Sequence, residues 1–219
     1  MKLVLALWSP DAPALMAEQV REAVRDAGGT RLQVNLDDEH IPADVLRLQT
    51  FERPLTCVVS VWTDGSPEAV VQALRPYAEE LAGWEVEERV PLPPPDQDVR
   101  TEGLAQVAFL RRPPELPYAE WQGHWQGPHT QVAMDTQATF GYVQNRVVSV
   151  VTADAPHVDA IVEELFPSEA MSDVHAYYGS GGDQAELDRR LTLLMTSVAT
   201  MGADRDLDLV ATSRYCWDL

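Results

Sequence analysis

A chain of 219 residues with 45% hydrophobic content is long enough for one large domain or two small ones of roughly 100 residues each, and it can bury a core. Sixteen basic against thirty-five acidic side chains leave a formal charge of −19, and Lys2 is the only lysine. Such a surface repels phosphate backbones and anionic lipid, which argues against nucleic-acid and membrane-surface partners.

The first apolar run, Leu3 to Trp8, is shorter than the roughly 7–15 residues of a secretory signal and reads as a strand, Lys2–Trp8. A helix follows from about Pro13 to Ala27, ended by Gly28-Gly29. Strands are expected at Arg31–Leu36 and Leu55–Trp62, the latter bounded by Pro54 and Asp64-Gly65. Ser66-Pro67-Glu68 starts a second helix: serine caps, proline takes the first helical position, and the acid suits the positive end. That helix is expected to reach about Leu81, and the alternating Trp84–Val90 closes the unit as a strand. The order is βαββαβ.

Pro91-Leu92-Pro93-Pro94-Pro95 can extend neither a helix nor a central strand. It divides the chain into a unit over 1–92, a linker over 93–103 and a unit over 104–219. The acid excess is spread evenly over the two halves, as for a solvated surface.

The second unit is read as a repeat of the first. Gln106–Arg111 is a strand, Tyr118–Thr136 is mostly helical, and Gly141–Val151 is a long strand. His157–Phe166 is expected as a short helix, Leu187–Met201 as a longer one, and Asp206–Tyr215 as the last strand. The fold class is therefore α+β, with two ferredoxin-like βαββαβ repeats. Each four-stranded sheet leaves one face uncovered, and the two faces can bury each other as a barrel within one chain; a homodimer is the other possibility. No stretch approaches the roughly 20 apolar residues of a membrane helix. Cys57 and Cys216 have no metal-ligand spacing, so a reducing, cytoplasmic setting is expected.

Residues 111–146 differ from the rest. On a regular helix Trp121, Trp125 and His129 lie at i, i+4 and i+8 and share one side, with His124 roughly 140° from His129. One straight helix would not let both histidines chelate one metal, and no metal is expected. Pro128 either kinks the helix or opens a new one. In the second case His129 sits at the positive helix end, which favours the neutral imidazole of a general base. The plain alternative is that Trp121, Trp125 and Val132 form the packing stripe of an ordinary helix.

The phrase YAEWQGHWQGPHTQVA resembles the helix motif of the EthD family, within the dimeric α+β barrel superfamily: aromatic, three residues, Trp, three residues, His. Tyr142-Val143-Gln144-Asn145 matches that family's strand segment, and Glu164-Leu165-Phe166 its later acidic-then-hydrophobic stretch. The resemblance covers about 104–217. It implies a pocket for a small, largely aromatic molecule between sheet and helices. The first unit's helix has neither histidine nor tryptophan, so that unit would be a degenerate, scaffolding repeat.

In the catalytic reading His129 is general base or acid on an enolisable carbonyl or phenol, Tyr142 orients the substrate, and His124 is a second candidate. Trp121 and Trp125 form the apolar wall, with Gln144 and Asn145 as further binding candidates. On a regular strand Tyr142 and Gln144 share a face while Asn145 points to the other, so Tyr142 and Asn145 cannot both line one pocket without a bulge. No phosphate loop and no nucleophile elbow is present, so cofactor-free cyclase, dehydratase or decarboxylase chemistry is expected. The alternative is a non-catalytic small-ligand or haem-binding accessory protein, although Arg146 is the only nearby cation for haem propionates.

Overall fold

The apolar alternations become eight strands: β1 (Lys2–Pro10), β2 (Gly29–Leu36), β3 (Cys57–Thr63), β4 (Ala78–Leu92), β5 (Arg100–Leu110), β6 (Gly141–Val150), β7 (Ala160–Phe166) and β8 (Asp208–Asp218). These assignments come from a computed structural model that describes residues 1–95 and 99–219. Residues 96–98 of the expected linker lie outside the described residues. β5 already begins at Arg100, so strand replaces the end of that linker.

The expected fold class of two ferredoxin-like repeats, each with its own sheet, is corrected by the strand pairing. All eight strands form one closed antiparallel barrel in the order β1-β3-β2-β8-β5-β7-β6-β4, with few helices laid outside it. Two seams close it. β2 pairs with β8 from Arg31↔Asp218 to Leu36↔Ser213, and β4 pairs with β6 from Trp84↔Val150 to Leu92↔Tyr142. The physical reason lies in the edges: four-stranded sheets packed only face to face leave rows of unpaired amides, and hydrogen-bonded closure removes every edge.

Strand alternation splits the side chains between lumen and exterior. One half of the lumen is apolar and aromatic: Trp8, Phe51, Phe109 and Trp84 meet edge-on or tilted with ring centroids 5.3–5.8 Å apart, beside Val4, Val58 and Ile161. The other half is polar, with Lys2, Gln33, Asn35, Asn145, Glu163 and Arg214 all buried. Outside, Leu3, Leu5 and Leu7 of β1 face α1 (Ala12–Leu15), α2 (Glu18–Asp26) and α3 (Pro67–Leu74).

Three helical expectations shift. The helix expected from Pro13 to Ala27 breaks at Ala17, whose extended backbone starts α2 anew. The helix capped by Ser66, whose hydroxyl accepts from the Ala69 amide, ends at Leu74 rather than Leu81, because Pro76 supplies no amide donor and only a 3₁₀ turn fits before β4. His157–Phe166, expected as helix, is strand β7: Ile161 and Glu163 point into the lumen while Ala160 and Val162 pack outward, so both faces are covered and a charged pair interrupts the apolar pattern.

The remaining helices are α4 (Tyr118–His124), α5 (Thr130–Thr136), α6 (Val174–Tyr178) and α7 (Gln184–Thr200). Asp183 caps α7 by accepting from the Ala185 and Glu186 amides. No helix among the described residues is long and apolar enough to cross a membrane.

Candidate functional site

Between α4 and α5, residues Trp125–His129 form a π-helical turn in which Gly127 leaves helical geometry at φ −105°, ψ −108°. Pro128 donates no amide there, and the wider i→i+5 turn absorbs the loss. The same turn decides where the histidines go. His124 and His129 are five residues apart, the π repeat, so they come to one side with ring centroids 6.3 Å apart. A straight α-helix would have set them well apart.

Both rings meet Ser197 on α7. His124 Nε2 lies 3.1 Å from the Ser197 carbonyl oxygen and 3.1 Å from its hydroxyl, and His129 Nδ1 lies 3.0 Å from that hydroxyl. A carbonyl only accepts, so His124 Nε2 carries a proton. The Ser197 hydroxyl can then donate to His129 Nδ1, the arrangement that leaves the proton of a neutral His129 on Nε2. Nε2 has no protein partner among the described residues. Burial, and then the charge of His124, hold His129 down at about 4, so its ring is neutral at neutral pH.

His129 lines a cavity of about 520 Å³ between the outer face of β5–β7 and the helices. Its floor includes Ala108, Leu110, Tyr142 and Val162; Leu194, Met195 and Val198 of α7 form a wall. Tyr142 is buried, and its hydroxyl is held well above the ordinary tyrosine range by burial first and then by the neighbouring Glu164. Tyr177 donates to Gln106 Oε1 at 2.7 Å and stacks on Phe166 at 4.2 Å, which fixes a second phenol at the cavity edge.

Of the residues singled out in the sequence, His129, Tyr142 and Trp125 line this cavity, and the others do not. Trp121 is fully buried and stacks on Trp125 at 5.3 Å, so it supports the wall from behind. Trp125 carries an indole N–H that is shut off from solvent and has no partner among the described residues, an arrangement that costs about 1–3 kcal/mol. His124 is committed to Ser197. Gln144 shares the Tyr142 face yet is spent on structure: it accepts from Arg89 at 2.8 Å and donates to Thr130 Oγ1 at 3.0 Å and to the Tyr142 hydroxyl at 3.3 Å. Asn145, named as a binding candidate, lies on the opposite face from this cavity. It points into the lumen and donates to Glu163 at 2.9 Å, because alternation along β6 turns it away from Tyr142.

The N-terminal half is not mere scaffold. Leu46, Leu48, Gln49 and Thr50 line the cavity, carried there by the long connection from β2 to β3. Leu48 exchanges two backbone bonds with Leu209, at 2.9 and 3.1 Å, and Asp208 accepts from the Thr50 and Phe51 amides. No periodic pattern in 37–56 announced this reach.

Glu164, matched in the sequence only as part of an acidic-then-hydrophobic stretch, also lines the cavity. It is half-buried, its open surface faces the cavity, and it accepts no hydrogen bond among the described residues. Burial raises its carboxyl to about 7. The available signal was alternation: on a strand, Glu163 and Glu164 must face opposite sides, and the helical reading of 157–166 concealed it. Among the described residues no three His, Cys, Asp or Glu side chains converge as a metal-ligand set.

No family model matches the sequence, and no curated protein matches it. Among solved structures the chain is similar to an anthrone oxidase-like protein, with TM-score 0.55 and 10% identity over 98% of this chain and 90% of that one. It also aligns with a provisionally designated monooxygenase of Lactobacillus acidophilus NCFM (TM-score 0.43, 11% identity, 97% and 92% covered). A dye-decolorizing peroxidase of Bacteroides thetaiotaomicron VPI-5482 aligns at TM-score 0.45 and 7% identity, with 98% and 91% covered. The last two likenesses are too distant to carry an argument. The first is a likeness of fold alone.

Proposed function

We propose that this protein binds a small, mostly aromatic organic molecule in the 520 Å³ cavity and carries out proton-transfer chemistry on it without a cofactor, as in a cyclase, dehydratase or decarboxylase. The observation that carries the reading is the cavity's makeup: an apolar body of the volume typical for small-molecule sites, with a few convergent polar groups, His129 and Tyr142 among them. In it, the Nε2–H of His129 contacts the carbonyl or phenol oxygen, Tyr142 orients the ring, and Trp125 forms part of the wall. The EthD-like helix phrase supports the same reading, since its Trp125 and His129 both reach the cavity.

Haem does not fit this lining. Among the described residues no lysine or arginine lines the cavity, so two propionates would find no fixed cation and would meet the charges of Glu164, Asp204 and Asp206. A flat, uncharged guest meets no such penalty.

Titration with 2-naphthol, followed by tryptophan fluorescence, tests the reading. One molecule is expected per chain, with affinity reduced about tenfold in His129→Ala, the worth of one net hydrogen bond plus lost packing. Absence of binding, or equal binding by the variant, would refute it.

A further inference from the structure

Among the described residues three carboxylates line the cavity, and they are not alike. Asp204 and Asp206 sit toward solvent, 3.9 Å from Arg205 and 3.6 Å from Arg111 respectively. Glu164 stands on the floor strand β7 and has neither an ion pair nor a hydrogen bond among the described residues. A carboxyl turned into a largely apolar cavity without a partner costs folding free energy, and a molecule entering the cavity is the partner left to it.

His129 cannot supply a base here. With Ser197 donating to Nδ1 the proton sits on Nε2, and in that tautomer the ring offers the cavity a donor and no lone pair. We propose that Glu164 is the proton-abstracting catalytic residue of this cavity, and that the substrate is an uncharged, flat, cyclic ketone whose carbonyl oxygen is held by the Nε2–H of His129. This assignment rests on the aromatic-ligand reading above and gives it a substrate class and a base. The Glu164 carboxylate takes the proton from the carbon beside the carbonyl. The C–H bond breaks, its electron pair forms the enolate C=C bond, and the negative charge falls on the oxygen facing His129. Returning the proton reverses the step, so neither an oxidant nor a second reactant enters.

The groups facing Glu164 are consistent with this role. Tyr142 from β6 and Tyr177 and Tyr178 from α6 feel its charge, and His129, Asp204 and Asp206 line the same cavity. None is a fixed cation, so an anionic substrate finds no counter-charge. With its carboxyl raised to about 7, Glu164 is a stronger base than an ordinary glutamate and is substantially ionised at neutral pH.

The test is hydrogen–deuterium exchange of the C1 protons of 2-tetralone in D₂O, followed by proton NMR from pH 5.5 to 8.5 and corrected for the protein-free rate. The catalysed rate should rise about 30-fold across that range, the change in the ionised fraction of a group titrating near 7. Glu164→Gln should lose at least about 100-fold of the exchange while still binding 2-tetralone. Glu164→Asp should keep the pH dependence at a lower rate, which separates loss of the carboxyl from loss of the fold. A pH-independent rate, binding without exchange, or full exchange in Glu164→Gln would overturn the assignment and leave the ligand reading standing. Failure of the wild type to bind 2-tetralone would overturn both.

Discussion

The polar half of the lumen offers the sharpest test of how this barrel is held together. Lys2 Nζ lies 2.8 Å from Glu88 and 2.9 Å from Glu163, with side-chain exposures of 3%, 25% and 9%. Glu163 also accepts from Gln33 and from Asn145, so its carboxylate is fully engaged. Burial alone would push that carboxyl up; Lys2, Gln33 and Arg214 together outweigh it and leave it below the usual glutamate value. Lys2→Met removes the one ammonium and strands a buried carboxylate. Breaking one side of such a pair costs about 3–5 kcal/mol, which for a chain of this length lowers Tm by about 6–20 °C. The double variant Lys2→Met/Glu163→Leu should recover most of that loss, because the uncompensated charge is gone and methylenes fill its place. Denaturant melts of the wild type, both singles and the double close the cycle. The pH dependence follows the same logic: because folding lowers the Glu163 pKa, its contribution is complete above about 4.5 and is lost as pH falls through the folded value. A cost below about 1 kcal/mol for Lys2→Met, or additive singles, would refute the buried-pair account.

Two further outcomes separate the two faces of the sheet. Asn145→Ala should cost about 1–3 kcal/mol of stability by unpairing a lumen amide, yet leave 2-naphthol affinity within about twofold of wild type; a tenfold loss of binding would place Asn145 at the cavity after all. Gly103→Ala should destabilise by more than about 2 kcal/mol, since Gly103 sits at φ +113° and an added Cβ would lie 2.2 Å from the Phe166 carbonyl oxygen; a thermal melt within 2 °C of wild type would contradict that.

Local chemistry was legible in the chain itself. Continuous apolar runs (Leu3–Trp8, Leu55–Trp62) and period-two alternation (Arg31–Leu36, Trp84–Val90) marked strands from local sequence alone. The Ser66-Pro67-Glu68 start was readable for the same local reason, as were the opposed faces of Tyr142 and Asn145. Tertiary structure decided the rest. Strand β7 was hidden because Glu163 looks outward-facing until Lys2, 161 residues away, supplies its counter-charge in the lumen. The convergence of His124 and His129 on Ser197 depends on a π turn that no side-chain periodicity announces. Closure into one barrel depends on the β2–β8 and β4–β6 seams, and backbone hydrogen bonds between distant edges leave no trace in composition. The cavity is the clearest case: its walls come from 46–50, the strands β5 to β8, the π turn and α7, so its volume, and the isolation of Glu164 within it, exist only once the chain has folded.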